Sequence, residues 1–218
     1  MNTVPEISGT FFAYLCKPTK WYLMSKAAAT RLAILKKSFE LIYTRGYQAT
    51  SIDDIIATTQ VTKGAFFYHF KNKDEMGLAM INEVMYPGMY WALVQPLVNS
   101  QNPVTEIYTM MKDLLLTNPF FDAKYGCPAI NLIDEMAPLN KDFNKALSKF
   151  VVQWQEAIEA SIKAGKSSGL IRKDVNVQQT TYFIMSGYGG IRNLGKIYGK
   201  ACYNSYLTGL RQYLKSLQ

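Results

Sequence analysis

The 218-residue sequence has few of the residues that build disulfide scaffolds, metal centres or acid–base active sites. Its three cysteines, Cys16, Cys127 and Cys202, form no C-x-x-C pair, which argues against a zinc finger and indicates a reducing compartment. A single histidine, His69, leaves few candidates for acid–base or metal chemistry, and no nucleophile elbow or glycine-rich phosphate loop is present. These absences predict a protein that is not an enzyme and that needs no cofactor or metal.

Long apolar runs are also missing. No run approaches the ~18 residues that a membrane helix needs. The N-terminus has no basic region before its short apolar patch of residues 11–16, so the pattern of a secretory signal is absent. We therefore expect a cytoplasmic protein that does not enter the membrane.

The composition is that of a folded, basic protein. Apolar residues make up 49% and charged residues 18% of the chain, which is typical of a globular protein. The 24 basic and 16 acidic residues give a net charge of +8, which favours a polyanionic partner. Because the excess is spread along the chain, charge alone does not locate a binding surface.

The hydrophobic pattern is helical along most of the chain, with apolar residues at spacings of three and four and few β-branched alternations. It predicts an all-α fold: a disordered or loosely packed arm over residues 1–23, a three-helix unit over 24–75 and a larger helical domain over 76–218. Pro87-Gly88 should kink or break the first helix of that larger domain. Helices are predicted over residues 26–45, 74–100, 102–118, 127–136, 141–166, 176–198 and 203–217.

The segment of residues 50–75, T-S-I-D-D-I-I-A-T-T-Q-V-T-K-G-A-F-F-Y-H-F-K-N-K-D-E, is the most informative part of the sequence. Ser51 with Asp54 has the form of a capping box, and Thr62 can cap the next helix after a tight turn. Phe66 and Phe70, four residues apart, can pack back onto the preceding helices. A second helix with a donor-rich N-terminus and basic flanks is how a helix-turn-helix enters the DNA major groove, so this segment predicts DNA binding.

The run V-T-K-G-A-F-F-Y-H-F-K-N-K-D-E-M resembles the helix-turn-helix of the TetR family of bacterial transcriptional regulators, and the resemblance covers roughly residues 30–78. A weaker one, Y-G-C-P-A-I-N-L-I-D-E-M over residues 125–136, looks like the start of the effector domain in one subgroup. The resemblance implies a homodimeric repressor that a small-molecule effector releases from a palindromic DNA operator. The alternative is a DNA-binding protein without such an effector, acting through a protein partner.

Carried onto this sequence, the resemblance assigns roles within the segment. Small residues would let the helix approach base edges, donors and Phe67 would read bases, and further polar side chains would hold phosphates. His69 could instead be a structural hydrogen-bonding group, and Lys71 and Lys73 could simply be solvated. The predicted DNA-contact residues are Ser51, Thr62, Lys63, Gly64, Ala65, Phe67, Tyr68, His69, Lys71 and Lys73. One departure is Gln60, in a turn where the family often has glycine; a positive φ there would cost about 1 kcal/mol.

For the effector domain, the sequence offers aromatic and methionine-rich helices whose residues could line a cavity or form ordinary core. The predicted effector pocket comprises Tyr86, Tyr90, Trp91, Phe120, Tyr125, Cys127, Trp154 and Tyr182, with Met89, Phe121 and Met136 beside them. In the family the last two long helices usually pair across the dimer, and some of their apolar residues must also form intrachain core. The predicted dimer interface comprises Tyr188, Ile191, Leu194, Tyr206, Leu210 and Leu214.

Two further features of the effector domain leave alternatives open. Arg192 and Lys196 could pair an acidic ligand if they point inward, or they could face solvent or the partner subunit. Cys127 follows Gly126 near a predicted helix N-terminus, where the helix dipole lowers the pKa of a thiol. Cys127 could therefore sense thiol-reactive effectors, as in some relatives with this Gly-Cys motif, or it could merely pack.

Overall fold

The computed structural model describes residues 25–119 and 121–218, and within those residues it contains helices, turns and loops without a β-strand. The all-α prediction is therefore confirmed. The predicted arm over residues 1–23, Cys16 and Phe120 lie outside the described residues. None of the described helices is long and apolar enough to cross a membrane.

The first helix, α1 (Lys26–Arg45), has local signals at both ends. The hydroxyl of Ser25 accepts a hydrogen bond from the backbone N–H of Ala28 at 3.2 Å, which caps the start of the helix. Gly46 ends it with a φ of 96°, a conformation that residues with a side chain rarely adopt. The sequence prediction for this helix is confirmed at both ends.

Two short helices follow, α2 (Ile52–Thr59) and α3 (Lys63–His69). The predicted capping box is present: the Ser51 hydroxyl accepts from the N–H of Asp54 at 3.1 Å, and the Asp54 carboxylate accepts from the N–H of Ser51 at 2.8 Å. Gln60 ends α2 in the left-handed region, with φ of 55° and ψ of 22°. Thr62 caps α3 by accepting from the N–H of Ala65 at 3.1 Å, as predicted.

The next stretch is helical but irregular. It begins as α4 (Lys73–Met80), continues through a π-helical turn (Ile81–Met85) into α5 (Tyr86–Met89), and ends with a second π-helical turn (Tyr90–Val94) and a 3₁₀ turn (Gln95–Leu97). Pro87 has no N–H to donate to the preceding turn. The wide π-helical turns on either side accommodate this defect, so the helix is irregular at Pro87-Gly88 rather than broken.

Five further helices complete the described chain. They are α6 (Pro103–Lys112), which runs on into a π-helical turn (Asp113–Thr117), α7 (Pro128–Met136), α8 (Lys141–Ser167), α9 (Val177–Tyr198) and α10 (Ala201–Ser216). Asn102 caps α6 and Asn176 caps α9, each through a side-chain oxygen that accepts a backbone N–H. Their bounds agree with the predicted ones to within a few residues, apart from the π-helical end of α6.

The chain divides into two compact units. The first contains residues 25–88 together with Asn131–Ala146, and the second contains Met89–Ile130 and Leu147–Gln218. The first unit therefore extends past the predicted boundary after Glu75. The reason is close packing at Gly77, where an added Cβ would lie 2.8 Å from ring atoms of both Tyr47 and Phe143.

Candidate nucleic-acid interface and buried polar cluster

The N-terminal face of α3 is open. Thr62, Lys63 and Gly64 are exposed, and an added Cβ on Gly64 would meet only the Thr62 hydroxyl, at 4.0 Å. Tyr68 is 78% exposed and Phe67 about half exposed, whereas Phe66 and Phe70 are buried against the preceding helices. Among the residues that the structure describes, no contact closes the face that would meet DNA, and the buried side of α3 holds the helix in place.

Lys63 carries the positive charge on this face. Its ammonium lies 3.3 Å from the Asp53 carboxylate, in an ion pair whose two side chains are more than half exposed. Such a surface pair contributes at most about 1 kcal/mol, so a phosphate or a base acceptor can replace it at little cost. Lys63 can therefore turn toward DNA without disturbing the fold.

The polar residues that follow this face in the sequence differ in their exposure and in their contacts. The His69 ring is half-buried, with its centre 5.0 Å from that of Tyr68 and 6.2 Å from that of Phe70. Lys71 has an exposed side chain, and its backbone N–H donates to the Glu75 carboxylate at 2.8 Å. The DNA contacts assigned to these residues stay predictions.

The predicted contact of Lys73 with phosphate stays a prediction, and the structure gives this lysine partners within the fold. Its ammonium donates to the backbone carbonyls of Tyr47 at 2.8 Å and Thr50 at 2.9 Å, and it lies 4.4 Å from the centre of the Tyr47 ring. Burial lowers the pKa of this lysine. The loop after α1 leaves these carbonyls without helical partners, so two of the three ammonium protons serve the fold. The Ser51 hydroxyl is likewise engaged, in the capping box.

Glu135, at the end of α7, secures the same loop and was missed by sequence reasoning as a functional support. Its carboxylate accepts the backbone N–H groups of Tyr47 at 2.8 Å and Gln48 at 2.6 Å. The Tyr47 hydroxyl in turn donates to Asp74 at 2.6 Å. Burial, and then the hydrogen bond to Asp74, raise the pKa of Tyr47. The loop between α1 and α2 is therefore held by a carboxylate more than eighty residues away.

In the second unit, Arg192 of α9 points inward and is 0% exposed. Its Nε donates to the Tyr188 hydroxyl at 3.3 Å, and its Nη2 donates to the backbone carbonyl of Leu114. Its Nη1 is buried and has no hydrogen-bond partner among the described residues. Three rings surround the guanidinium carbon, with centres at 4.6 Å for Phe121, 5.4 Å for Tyr188 and 5.7 Å for Tyr203. Of the two sequence alternatives for Arg192, the inward one is correct, while Lys196 is exposed.

Other buried polar groups lie beside the rings that surround this arginine. Among the described residues, neither the Tyr203 hydroxyl nor the Trp154 indole nitrogen, both buried, has a hydrogen-bond partner. The Trp154 ring stands edge-on to that of Tyr188 at 5.3 Å, and the buried thiol of Cys127 interacts with the Tyr188 hydroxyl. Burial, foremost, raises the pKa of Tyr188. We call Arg192, Tyr188, Tyr203, Trp154, Cys127 and Phe121 the buried polar cluster.

The predicted effector residues are only partly brought together. Cys127, Trp154 and Phe121 belong to the buried polar cluster, whereas Trp91 and Tyr182 are about half exposed. Phe120 lies outside the described residues. The remaining predicted residues are half-buried or buried without a described place in that cluster, namely Tyr86, Met89, Tyr90, Tyr125 and Met136.

Some of the predicted dimer residues are buried within the chain and others are at its surface. Four of them are buried within the chain's own core and have little surface left for a partner, namely Tyr188, Ile191, Leu210 and Leu214. Tyr206 is half-buried, and Leu194 is exposed. Helix α9 carries apolar residues on two faces, so the sequence pattern alone could not separate the core face from the free one. The free face, which we call the α9 apolar face, comprises Phe183, Leu194, Ile197 and Tyr198.

A capped three-helix unit that presents the N-terminus of its third helix, followed by a larger helical unit, defines a helix-turn-helix DNA-binding regulator. Residues 34–80 match the sequence model of bacterial regulatory proteins of the tetR family, and residues 106–206 match the tetracyclin repressor-like C-terminal domain. The chain belongs to the TetR family of transcriptional regulators.

Individual relatives agree with this assignment. An HTH-type transcriptional regulator from the lacX 3′ region of Lactococcus lactis is 32% identical over 135 residues, which cover 62% of this chain and 69% of the relative. The Escherichia coli repressor NemR is 26% identical over 121 residues, covering 55% of this chain and 60% of NemR.

Solved structures share the fold at low sequence identity. A TetR regulator from Chloroflexus aurantiacus superposes with a TM-score of 0.78 at 23% identity, over 88% of this chain and 96% of that one. The reduced form of E. coli NemR superposes with a TM-score of 0.72 at 20% identity, over 86% of this chain and 96% of NemR. The likeness establishes the fold.

Proposed function

We propose that this chain is a cytoplasmic homodimeric repressor that binds a palindromic DNA operator and leaves it when a small-molecule effector binds. The observation that carries the proposal is the open N-terminal face of α3, where Thr62, Lys63 and Gly64 are exposed beside Tyr68. Repression is what the relative NemR is named for. Thr62, Lys63, Ala65 and Phe67 would read bases, while Tyr68, His69 and Lys71 would hold phosphates.

The α9 apolar face supports the dimer. Phe183 and Leu194 are eleven positions apart, three turns of helix, and Ile197 and Tyr198 continue the same side by one further turn. Four large exposed apolar side chains on one helix side suit burial against a second copy of the chain, in the four-helix bundle that the family uses. A two-fold dimer places two α3 helices on half-sites ~34–36 Å apart, one turn of DNA.

The repressor leaves its operator if the effector binds more tightly to a dimer whose two α3 helices do not match the spacing of the half-sites. The loss of DNA affinity then equals the differential affinity of the effector for the two states. The buried polar cluster supports an internal effector site, because its unpaired groups have no evident structural use.

The test is binding of the full chain to fluorescent duplex DNA from its own upstream region, by anisotropy with excess nonspecific competitor. We expect one protected inverted repeat, with affinity that falls steeply as salt rises. Lys63→Ala should weaken binding at least about fivefold, since a base or phosphate contact contributes about 1–3 kcal/mol. Lys145→Ala, a substitution of an exposed lysine away from α3, is the matched control and should bind like wild type. Weak binding that competitor removes, equal in all three proteins, would contradict the proposal.

A thiol-reactive effector acting through Cys127 is a second form of the same proposal. It is supported by the contact between this thiol and Tyr188 within the buried polar cluster. Treatment with iodoacetamide should lower operator affinity in wild type and leave Cys127→Ser unaffected. The variant keeps Cys202, which is half-exposed, so it controls for alkylation elsewhere. Equal responses of the two proteins would exclude Cys127 as the sensor.

A further inference from the structure

We propose that the buried polar cluster is an anion site and that it binds the carboxylate of a small organic acid with an apolar body. This inference rests on the proposed function, because it names the chemical class of the effector. It is carried by Arg192 Nη1 and by two further unpaired groups of the cluster, the Tyr203 hydroxyl and the Trp154 indole nitrogen.

The guanidinium of Arg192 is a buried charge without a counter-ion among the described residues. Arg192 is fully buried, and among residues 25–119 and 121–218 its guanidinium takes part in none of the ion pairs, which involve other residues. Burying a cation without an anion costs several kcal/mol, and arginine cannot escape by losing its proton. The rings of Phe121, Tyr188 and Tyr203 offset part of this cost through cation–π contacts. Full compensation requires a negative charge.

The unpaired groups of the cluster are hydrogen-bond donors that need an acceptor. Arg192 Nη1 and the Trp154 indole nitrogen can only donate, and the Tyr203 hydroxyl is also able to donate. All three are buried without a partner. An excess of donors calls for acceptors, and a carboxylate offers two oxygens in a plane that fits a guanidinium. A neutral amide or alcohol would satisfy fewer of these groups and would leave the charge uncompensated.

The surroundings of the Arg192 guanidinium suit a ligand with an apolar body. The guanidinium is enclosed by aromatic rings, so the ligand's remaining atoms would contact apolar surface rather than water. The unpaired atoms are closed from solvent. The rings must therefore part for a ligand to enter, and the bound and free states of this unit differ. Such a difference is what an effector needs in order to shift a two-state equilibrium.

A second arginine supplies a matched control. Arg211 is exposed and lies 4.3 Å from the centre of the Tyr108 ring, in an open groove of about 210 Å³ that Val104 and Leu214 also line. Water can solvate this guanidinium, so it has no unmet need for an anion. Arg211→Met removes the same positive charge and the same N–H donors as Arg192→Met, but from a site that should not bind the acid.

The experiment measures the thermal midpoint of the full chain with millimolar benzoate or hexanoate, and with benzamide or hexanamide as uncharged counterparts. We expect the acids to raise the midpoint of wild type and of Arg211→Met in a saturable way, and the amides to leave it unchanged. Arg192→Met should abolish the shift. Tyr203→Phe, which keeps the ring, should weaken the apparent affinity for the acid roughly ten- to a hundredfold, because one hydrogen bond to a charged group is lost.

Several results would overturn the inference: no shift with either acid, an equal shift with the amides, a shift that persists in Arg192→Met, or an apparent affinity for the acid that is unchanged in Tyr203→Phe. If Arg192→Met does not fold, Tyr203→Phe decides the question. The assay contains no DNA, so its failure is separate from that of the proposed function. A wild type that binds its operator yet ignores the acids contradicts only the anion site, while a wild type without operator binding contradicts the repressor.

Discussion

Two regions of the molecule differ in whether their polar groups have hydrogen-bond partners. They are the loop after α1, which supports the helix-turn-helix, and the interior around Arg192. In the loop after α1, backbone N–H groups meet Glu135, carbonyls meet Lys73, and the Tyr47 hydroxyl meets Asp74. Around Arg192, in contrast, donors are buried without acceptors. Among the described residues, the four buried side-chain polar atoms without a hydrogen-bond partner all lie in the second unit, on Trp154, Thr181, Arg192 and Tyr203.

The contrast separates stability from function. Satisfied polar groups fix one conformation, which suits a helix that must present its end to DNA in one orientation. Unsatisfied buried groups destabilise the free protein and are retained where something outside the chain can complete them. The comparison therefore predicts that removing polar groups will harm the first region and will relieve the second.

The largest effect should follow from Glu135→Ala. The substitution leaves two backbone N–H groups, those of Tyr47 and Gln48, without their charged acceptor. We expect the free energy of unfolding to fall by about 2–3 kcal/mol, measured by urea denaturation. Asp134→Ala, an exposed neighbour on the same helix, is the matched control and should change stability by less than about 0.5 kcal/mol. Equal effects of the two would show that the loop does not depend on Glu135.

The smallest effect should come from Gln60→Gly in the helix-turn-helix turn. Gln60 has a φ of 55°, which costs a residue with a side chain about 1 kcal/mol. Glycine removes this strain but gains freedom in the unfolded chain, so we expect a net stabilisation of roughly 0.5 kcal/mol. Gln60→Ala keeps the strain and should bring no gain in the same urea titration. A gain from alanine as large as that from glycine would assign the effect to the side chain instead of the backbone.

The sequence predicted what depends on neighbours in the chain. The capping box of Ser51 and Asp54 joins residues three apart, Thr62 caps a helix that begins at the next residue, and Gly46 ends α1 through its own φ. The family resemblance, which often has glycine at this point of the turn, also indicated Gln60 as the place where a positive φ would be costly, and its φ is 55°. Such features need no knowledge of the tertiary fold.

The sequence did not predict what depends on contacts between distant residues. Glu135 reaches a loop 88 residues away, and Lys73 binds carbonyls more than twenty residues away. On α9, both the core face and the free face are apolar, so Tyr188 and Leu194 were assigned to one interface although only Leu194 is exposed. The inward direction of Arg192 also could not be chosen, because arginine is common at the margins of amphipathic helices.

The most direct measurement is the unfolding free energy of two variants that each lose one tyrosine hydroxyl, Tyr47→Phe and Tyr203→Phe. The Tyr47 hydroxyl donates to Asp74 at 2.6 Å, whereas the Tyr203 hydroxyl is buried without a partner. Tyr47→Phe should therefore lower stability by about 1–2 kcal/mol, and Tyr203→Phe should leave it unchanged or raise it by up to about 1 kcal/mol. Opposite outcomes would support a structural role for the first hydroxyl and a ligand-binding role for the second. A similar loss in both would mean that the Tyr203 hydroxyl serves the fold, and would contradict the account of the buried polar cluster.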